Sequence, residues 1–466
     1  MTKEKQILFF IVTLLFISSV IYLSINTINV FLLIATIFIP VILIIVYKII
    51  KNPIFGVWIL MIYGFIIGAA AKMTDFPAGT MIDLLVFLIF VATLLQKNVD
   101  WNRLKNVTLL IITIWFIYTV IEIINPLAPT YIAWFYAVRT MSVQIFLITI
   151  ISLLIFEQKF FNTFIKIWFI FSILATIDAF RQKFMFPKLY WFEKEWLALG
   201  YYKQHILFGH LRPFSFYTDT GQFGAAEAHT LTTSLILLLN EKRKKYIIFF
   251  LITVIFSFLG MIISGTRGAL FIPATGLFAY LIISKSWKTI IVGLSFLSVI
   301  YYLLAFTYVG HNIYEIRRMR TAVHLTEDPS FQVRLQNQKI LKSYMADKPF
   351  GAGIGTSEYW GKKFSPNTFL ANIATDSLYV KIWVETGIIG LFIWLVLILW
   401  IIFRGAYLIN KIKDKQYKIQ LISLWAGLIG IFVANYGNSV MTQFPTLVIS
   451  YLSIGYIFRV EKDLKN

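Results

Sequence analysis

The sequence predicts an all-α, polytopic membrane protein of about fourteen transmembrane helices with a large, partly helical external loop. Three observations predict it. Of 466 residues, 59 % are apolar and only 14 % charged, with 44 Phe, 24 Tyr and 13 Trp, and the mean hydropathy is +0.78. A soluble core stops growing well before it could hide that much apolar surface. The apolar residues come in runs of about 20, the length that crosses roughly 30 Å of hydrocarbon, and Lys and Arg concentrate in alternate breaks between the runs.

The runs fall at 6–24, 28–47, 54–71, 80–96, 106–125, 139–156, 160–180, 222–240, 246–264, 267–284, 288–307, 387–405, 418–436 and 442–459. Lys3 and Lys5 before the first run give it the look of a signal peptide, but no small-residue cleavage site follows, so it reads as a span. Alternate loops carry Lys48 and Lys51, Lys97, Arg103 and Lys105, Lys242 to Lys245, Lys285 and Lys288, and Lys411 to Lys418, with Arg459, Lys462 and Lys465 in the tail. The positive-inside rule then places both termini in the cytoplasm. The chain reads as a single integral membrane domain, 1–466. No Cys is present, which excludes disulfides, thiolate metal sites and cysteine nucleophiles.

Two external segments are long, 181–221 and 308–386, and loops of that size are functional or disordered. Their density of Trp, Tyr, Phe, Leu and Ile argues for order. Both are also basic, with Arg181, Lys183, Lys188, Lys194, Lys203 and Arg212 in the first and Arg317, Arg318, Arg320, Arg334 and further lysines in the second. In a soluble protein a net charge of +20 would suggest nucleic acid; here topology accounts for about half of the cations, and no nucleic-acid partner is expected. The external excess suits an anionic substrate or, more simply, anionic lipid headgroups.

Ionisable residues inside spans are expensive and mark function by default. Glu122, Arg139, Asp178, Glu227, His229 and Arg267 lie near external span ends, with Lys166 deeper. That clustering describes a basin opening outward rather than a transport path, which needs polar groups at the midplane. Arg267 sits in the Ser264–Leu270 turn, whose small residues leave backbone amides and a helix N-terminus open to an anion; the simpler reading is an interfacial Arg facing headgroups. Arg212 leads into the span bearing Glu227 and His229, which point to about opposite faces. No second His stands at ligand spacing, so His229 reads as a satisfied buried histidine and no metal is expected.

In the large loop, Ser330 is a candidate N-cap for an amphipathic helix running to Met345, with Arg334 on the stripe shared by Gln338, Leu341 and Met345. The following Pro349–Gly355 run, PFGAGIG, lacks a βαβ setting and reads as a tight turn with amides free for an oxygen ligand. Asp376 begins the last segment, on one helix face with Tyr379, Val380 and Trp383, where an Asp is commonly just a cap.

Those elements together resemble the O-antigen polymerase/ligase superfamily of membrane glycosyltransferases. The residues that carry the resemblance are SGTRGALF at 264–271, Arg334 with PFGAGIG, and TDSLYVKIWVETGIIGL at 375–391. The resemblance covers roughly 212–390, and the N-terminal half is similar only in hydropathy. It implies a GT-C-like membrane enzyme that acts on undecaprenyl-pyrophosphate-linked oligosaccharide and polysaccharide at the outer face of the membrane, among membrane lipids, with a flippase and a chain-length regulator as partners. Ligases of this group place a His where this chain has Asp376, which points to a polymerase of O-antigen, capsule or exopolysaccharide.

On that reading, Arg267, Arg212 and Arg334 bind the pyrophosphate, and Asp376 accepts the acceptor-hydroxyl proton, with Glu227 as the second catalytic candidate. Arginines can neutralise a diphosphate without a metal, so no cofactor is expected. The alternatives are a ligase passing finished glycan to another acceptor, and a lipid-linked oligosaccharide flippase, which would show repeated halves and short loops.

Overall fold

The computed structural model describes residues 30–73, 78–284, 287–321 and 329–464. Apart from one two-residue hairpin the described chain is helical. Eight helical segments among the described residues are long and apolar enough to cross a membrane: Pro53–Met73, Val107–Ile124, Tyr131–Ile155, Gln158–Met185, Lys244–Ile263, Arg267–Ser284, Leu378–Lys411 and Lys415–Ala434. That is fewer than the fourteen expected. The expected span 6–24 lies outside the described residues.

For two of the remaining runs the difference has a physical basis in burial. The runs at 222–240 and 442–459 form helices Thr220–Asn240 and Thr446–Asp463, but both are buried along most of their length. A helix enclosed by other helices need not present an apolar surface, so Thr220–Asn240 carries Gln222, Glu227, His229, Thr230, Thr232, Thr233 and Ser234 buried. These two are interior staves. The run at 80–96 forms Ala78–Leu94, apolar but only 17 residues long.

Helices are numbered here in chain order: α1 Val30–Lys51, α2 Pro53–Met73, α3 Ala78–Leu94, α4 Val107–Ile121, α5 Tyr131–Val138, α6 Gln144–Ile155, α7 Phe161–Met185, α8 Trp191–Trp196, α9 Tyr202–His205, α10 Thr220–Asn240, α11 Lys244–Ile263, α12 Phe271–Ser284, α13 Trp287–Phe306, α14 Tyr314–Arg320, α15 Pro329–Tyr344, α16 Glu358–Phe364, α17 Phe369–Asn372, α18 Leu378–Lys411, α19 Lys415–Ala434 and α20 Thr446–Asp463. The hairpin pairs β1 Ile206–Leu207 with β2 His210–Leu211. In the bundle α10 packs on α11 and α19, α12 on α19, and α20 on α6. Close crossings use small residues: a Cβ on Gly276 of α12 would lie 2.7 Å from the Ala426 carbonyl of α19.

Both long segments are ordered over their described residues, each around a small core of its own. Leu189, Leu197, Leu211 and Phe214 hold the first; Leu341, Met345, Ala352, Leu370, Val380 and Val384 hold the second. In the second, α18 begins at Leu378 and breaks at Gly387, φ 69° and ψ −172°. Its first two turns therefore belong to the loop cluster and the remainder to the bundle.

The PFGAGIG run is a wedge against that break. Its Ala352 and Gly353 amides donate to the carbonyls of Val384 and Glu385, at 2.9 and 3.0 Å. They are therefore not free for an oxygen ligand, which corrects that part of the sequence reading, while the close backbone approach is observed. Gly351, at φ +83°, shows why: a Cβ there would lie 2.5 Å from the Glu385 carbonyl.

Candidate functional site

The two long segments, the Ser264–Leu270 turn and the α19–α20 connection enclose a cavity of 770 Å³ at one end of the bundle. Arg212, Arg267, Arg334 and Asp376 all line it. Four residues from three separate chain segments are thus brought together.

Arg212 follows β2 on a clamped strand. Its amide donates to the His205 carbonyl at 2.7 Å, and its guanidinium reaches the Gln204 carbonyl at 3.3 Å and Thr266 Oγ1 at 3.4 Å. Just downstream, Gln182 Oε1 accepts from the amides of Phe214 and Ser215, and its Nε2 donates to the Ser215 carbonyl. Lys72 Nζ donates to the Tyr217 carbonyl at 2.5 Å while lying over the rings of Phe214 and Trp196, at 4.0 and 4.4 Å. Burial, then the nearby Arg318, pull the Arg212 pKa down to about 9, against the opposing pull of Asp219 and Tyr314. The strand's aromatic floor therefore holds a cation already crowded by its own kind.

Arg267 opens a single 3-10 turn, Arg267–Leu270, that runs into α12. Thr266 Oγ1 donates to the Thr220 carbonyl at 2.9 Å, tying the turn to the start of α10, and Arg267 Nη1 donates to Thr321 Oγ1 at 3.2 Å. The run of small residues opening α10 has its reason here, because a Cβ on Gly224 would meet Ser264 and Thr266.

Asp376 lies two residues before α18 in the left-handed region, φ 53°. Ser377, not Asp376, is the N-cap of α18, so the capping explanation does not describe it. Nor does Asp376 share a helix face with Tyr379, Val380 and Trp383; its direction is set by the turn. A left-handed Asp is tolerated but uncommon, and such conformers gather at functional sites. Arg334 Nε lies 3.6 Å from Asp376 Oδ2. Arg334 is on α15, whose Leu341 and Met345 pack inward as the sequence stripe predicts. The helix starts at Pro329, so Ser330 is inside it rather than capping it.

Glu227 is elsewhere. It is fully buried, accepts from Ser172 Oγ at 2.5 Å, and packs against Gly260 of α11. His229 is buried against Trp168, ring centroids 4.7 Å apart, but its Nε2 has no hydrogen-bond partner. It is buried as expected and not satisfied.

Several lining residues escape a reading by sequence. Glu358 faces the cavity and accepts from Thr375 Oγ1 at 2.7 Å and Lys381 Nζ at 2.8 Å. Burial works to raise its pKa, and Lys381 overcomes this and holds it below the usual carboxylate range. Thr375 precedes Asp376, so this pair braces the turn that aims the aspartate. Arg318, Asp219, Asn438 and Gln443 complete much of the polar wall. The signal available for Arg318 is its place in an Arg-rich heptapeptide, Tyr314–Arg320, which does not say which Arg turns inward.

The protein is thus a multi-pass membrane bundle with a cationic, carboxylate-bearing cavity at one end. Residues 251–395 match the Wzy_C family, described as O-Antigen ligase. The matched stretch is similar to a family of the Wzy polymerase/WaaL ligase type. It includes Arg267, Arg318, Arg334, Glu358 and Asp376 and leaves Arg212 outside. No curated protein matches the chain.

Proposed function

We propose that the protein is a polymerase of cell-surface polysaccharide, extending O-antigen, capsule or exopolysaccharide at the outer face of the bacterial cytoplasmic membrane. The donor is an undecaprenyl-pyrophosphate-linked glycan, and the acceptor is a sugar hydroxyl on a lipid-linked repeat unit. The fourteen-span topology with both termini in the cytoplasm goes with this reading, since it puts the two long loops and the cavity on the outside. A flippase and a chain-length regulator are its expected partners.

The observation that carries the reading is the convergence of Arg212, Arg267, Arg334 and Asp376 on one cavity. In the reaction, Asp376 accepts the proton of the acceptor hydroxyl as its oxygen bonds to the anomeric carbon. The anomeric C–O bond to the diphosphate breaks, and its electron pair leaves on the phosphate oxygen. Attack opposite the leaving group inverts the anomeric centre. Charge gathers on the diphosphate as that bond breaks, so fixed guanidiniums there are worth more in the transition state than in the ground state. Arg334 faces the same charge while holding Asp376 in place. Glu227, enclosed by α7 and α11, serves the bundle rather than the chemistry.

Ligase-type transfer has one observation in its favour, the description of the matched family. Purified protein in liposomes with its lipid-linked repeat unit separates the readings. A ladder of longer products, lost in Asp376→Asn and Arg267→Ala, is the expected result. One-step transfer of a finished chain to a different acceptor would replace the polymerase with a ligase, and lipid translocation without new glycosidic bonds would overturn both.

A further inference from the structure

We infer that Arg318 is a further ligand of the lipid diphosphate, delivered to the cavity by the short helix α14; the inference rests on the functional reading above and adds a residue to its binding site. Arg318 lines the cavity beside Arg212 and Arg267. Its stem lies across the Ser264–Leu270 turn, where Gly265 makes room: at φ +59°, a Cβ on Gly265 would sit 3.3 Å from Arg318 Cδ. That glycine satisfies a backbone that favours glycine and also leaves the guanidinium a path to Arg267's turn.

The guanidinium is under-used by the protein. Its Nη1 reaches the Tyr314 hydroxyl of its own helix, at 3.5 Å, and its Nε is buried without a hydrogen-bond partner. Among the described residues no carboxylate pairs with it. Arg212 Nε is buried and partnerless as well. Of the cavity acids nearby, Asp219 already spends Oδ1 on the Gln222 amide that starts α10. Like charges held together with no carboxylate in direct ion pair to Arg318 or Arg212 cost free energy that a bound dianion returns, and guanidiniums suit the paired oxygens of a diphosphate.

α14 is built to hold this side chain. Lys183 pairs with Glu315, Tyr314 stacks on His210 at 4.8 Å and 23°, and Met319 is buried. Glu315, Arg318 and Met319 share a face at spacings of three and four, while Arg317 points to solvent. The two external segments thus lock together where Arg318 enters.

The test measures binding of undecaprenyl diphosphate and undecaprenyl monophosphate to the full-length protein in nanodiscs. Arg318→Ala is expected to weaken the diphosphate about tenfold or more while changing the monophosphate less than about threefold, and Arg317→Ala to change neither. Unchanged diphosphate binding, or equal loss of both lipids, would overturn the inference. Should Arg318→Ala fail to fold, Arg318→Gln keeps much of the stem, is expected to show the same selective loss, and is judged by the same two outcomes. A wild type that binds neither lipid would instead remove the functional reading beneath it.

Discussion

Three side chains hold the strand after Arg212 in place: Gln182, Lys72 and His205. Gln182 satisfies two buried amides and a carbonyl around Phe214 and Ser215. Its replacement by Ala leaves them unpaired at a cost of about 1–3 kcal/mol each. Gln182→Ala is expected to lower the thermal midpoint and to weaken donor binding through Arg212. His205 Nδ1 sits 2.9 Å from the Tyr201 carbonyl, between Trp196 and Phe214. Burial, with Lys72 and Arg212 adding to it and the Tyr201 carbonyl and Asp219 opposing, pushes its pKa down to about 4. Between pH 4 and the unfolded value near 6.5 the unfolded chain binds the extra proton, so stability is full above that window and falls as pH drops through it. Thermal unfolding at pH 7 and pH 4.5 should show a loss that His205→Gln largely abolishes; an equal loss in the variant would mean that other groups carry it.

At the scale of elements, the loop cluster depends on the break in α18. A Cβ on Gly387 would overlap the Pro349 carbonyl, and the residue sits at φ +69°. Gly387→Ala is therefore expected to cost several kcal/mol, read as loss of folded protein on size exclusion, whereas Ala substitution of exposed Ile388 should be mild. Much of this element was legible beforehand: the amphipathic stripe of α15 and the glycine run announce themselves by local spacing. The break was not, because Gly387 in an apolar run reads as a small packing residue until its neighbour Pro349 is known. The same limit separates the site residues. Arg267, Arg334 and Asp376 belong to contiguous motifs that a chain reader can see. Arg318 and Glu358 become site residues only because α14 docks on the first loop and Thr375 docks on Glu358. Glu227 shows the converse: an ionisable residue in a span is conspicuous in sequence, yet the sequence does not say that it faces Ser172.

At the scale of the molecule, hydropathy read the lipid-facing staves and under-describes the interior ones. α10 can carry its polar residues because other helices surround it, and α20 ends in the charged run Arg459–Asp463. Topology is open to direct test, since a chain without cysteine needs no background removed. Asn367→Cys in the large loop is expected to react with a membrane-impermeant maleimide added to intact cells, and Lys413→Cys only after the membrane is opened. The reverse pattern would invert the orientation and put the cavity on the wrong side for an external donor.

In the proposed mechanism this cavity breaks a sugar–diphosphate bond with Asp376 as the proton acceptor. Release of undecaprenyl diphosphate, counted against new glycosidic bonds in proteoliposomes given one lipid-linked repeat unit, tests it most directly. Wild type is expected to release one for each bond formed, Asp376→Asn to lose nearly all turnover, and a folded Glu227→Gln to retain it. Wild-type rates in Asp376→Asn, with activity lost instead in Glu227→Gln, would contradict it.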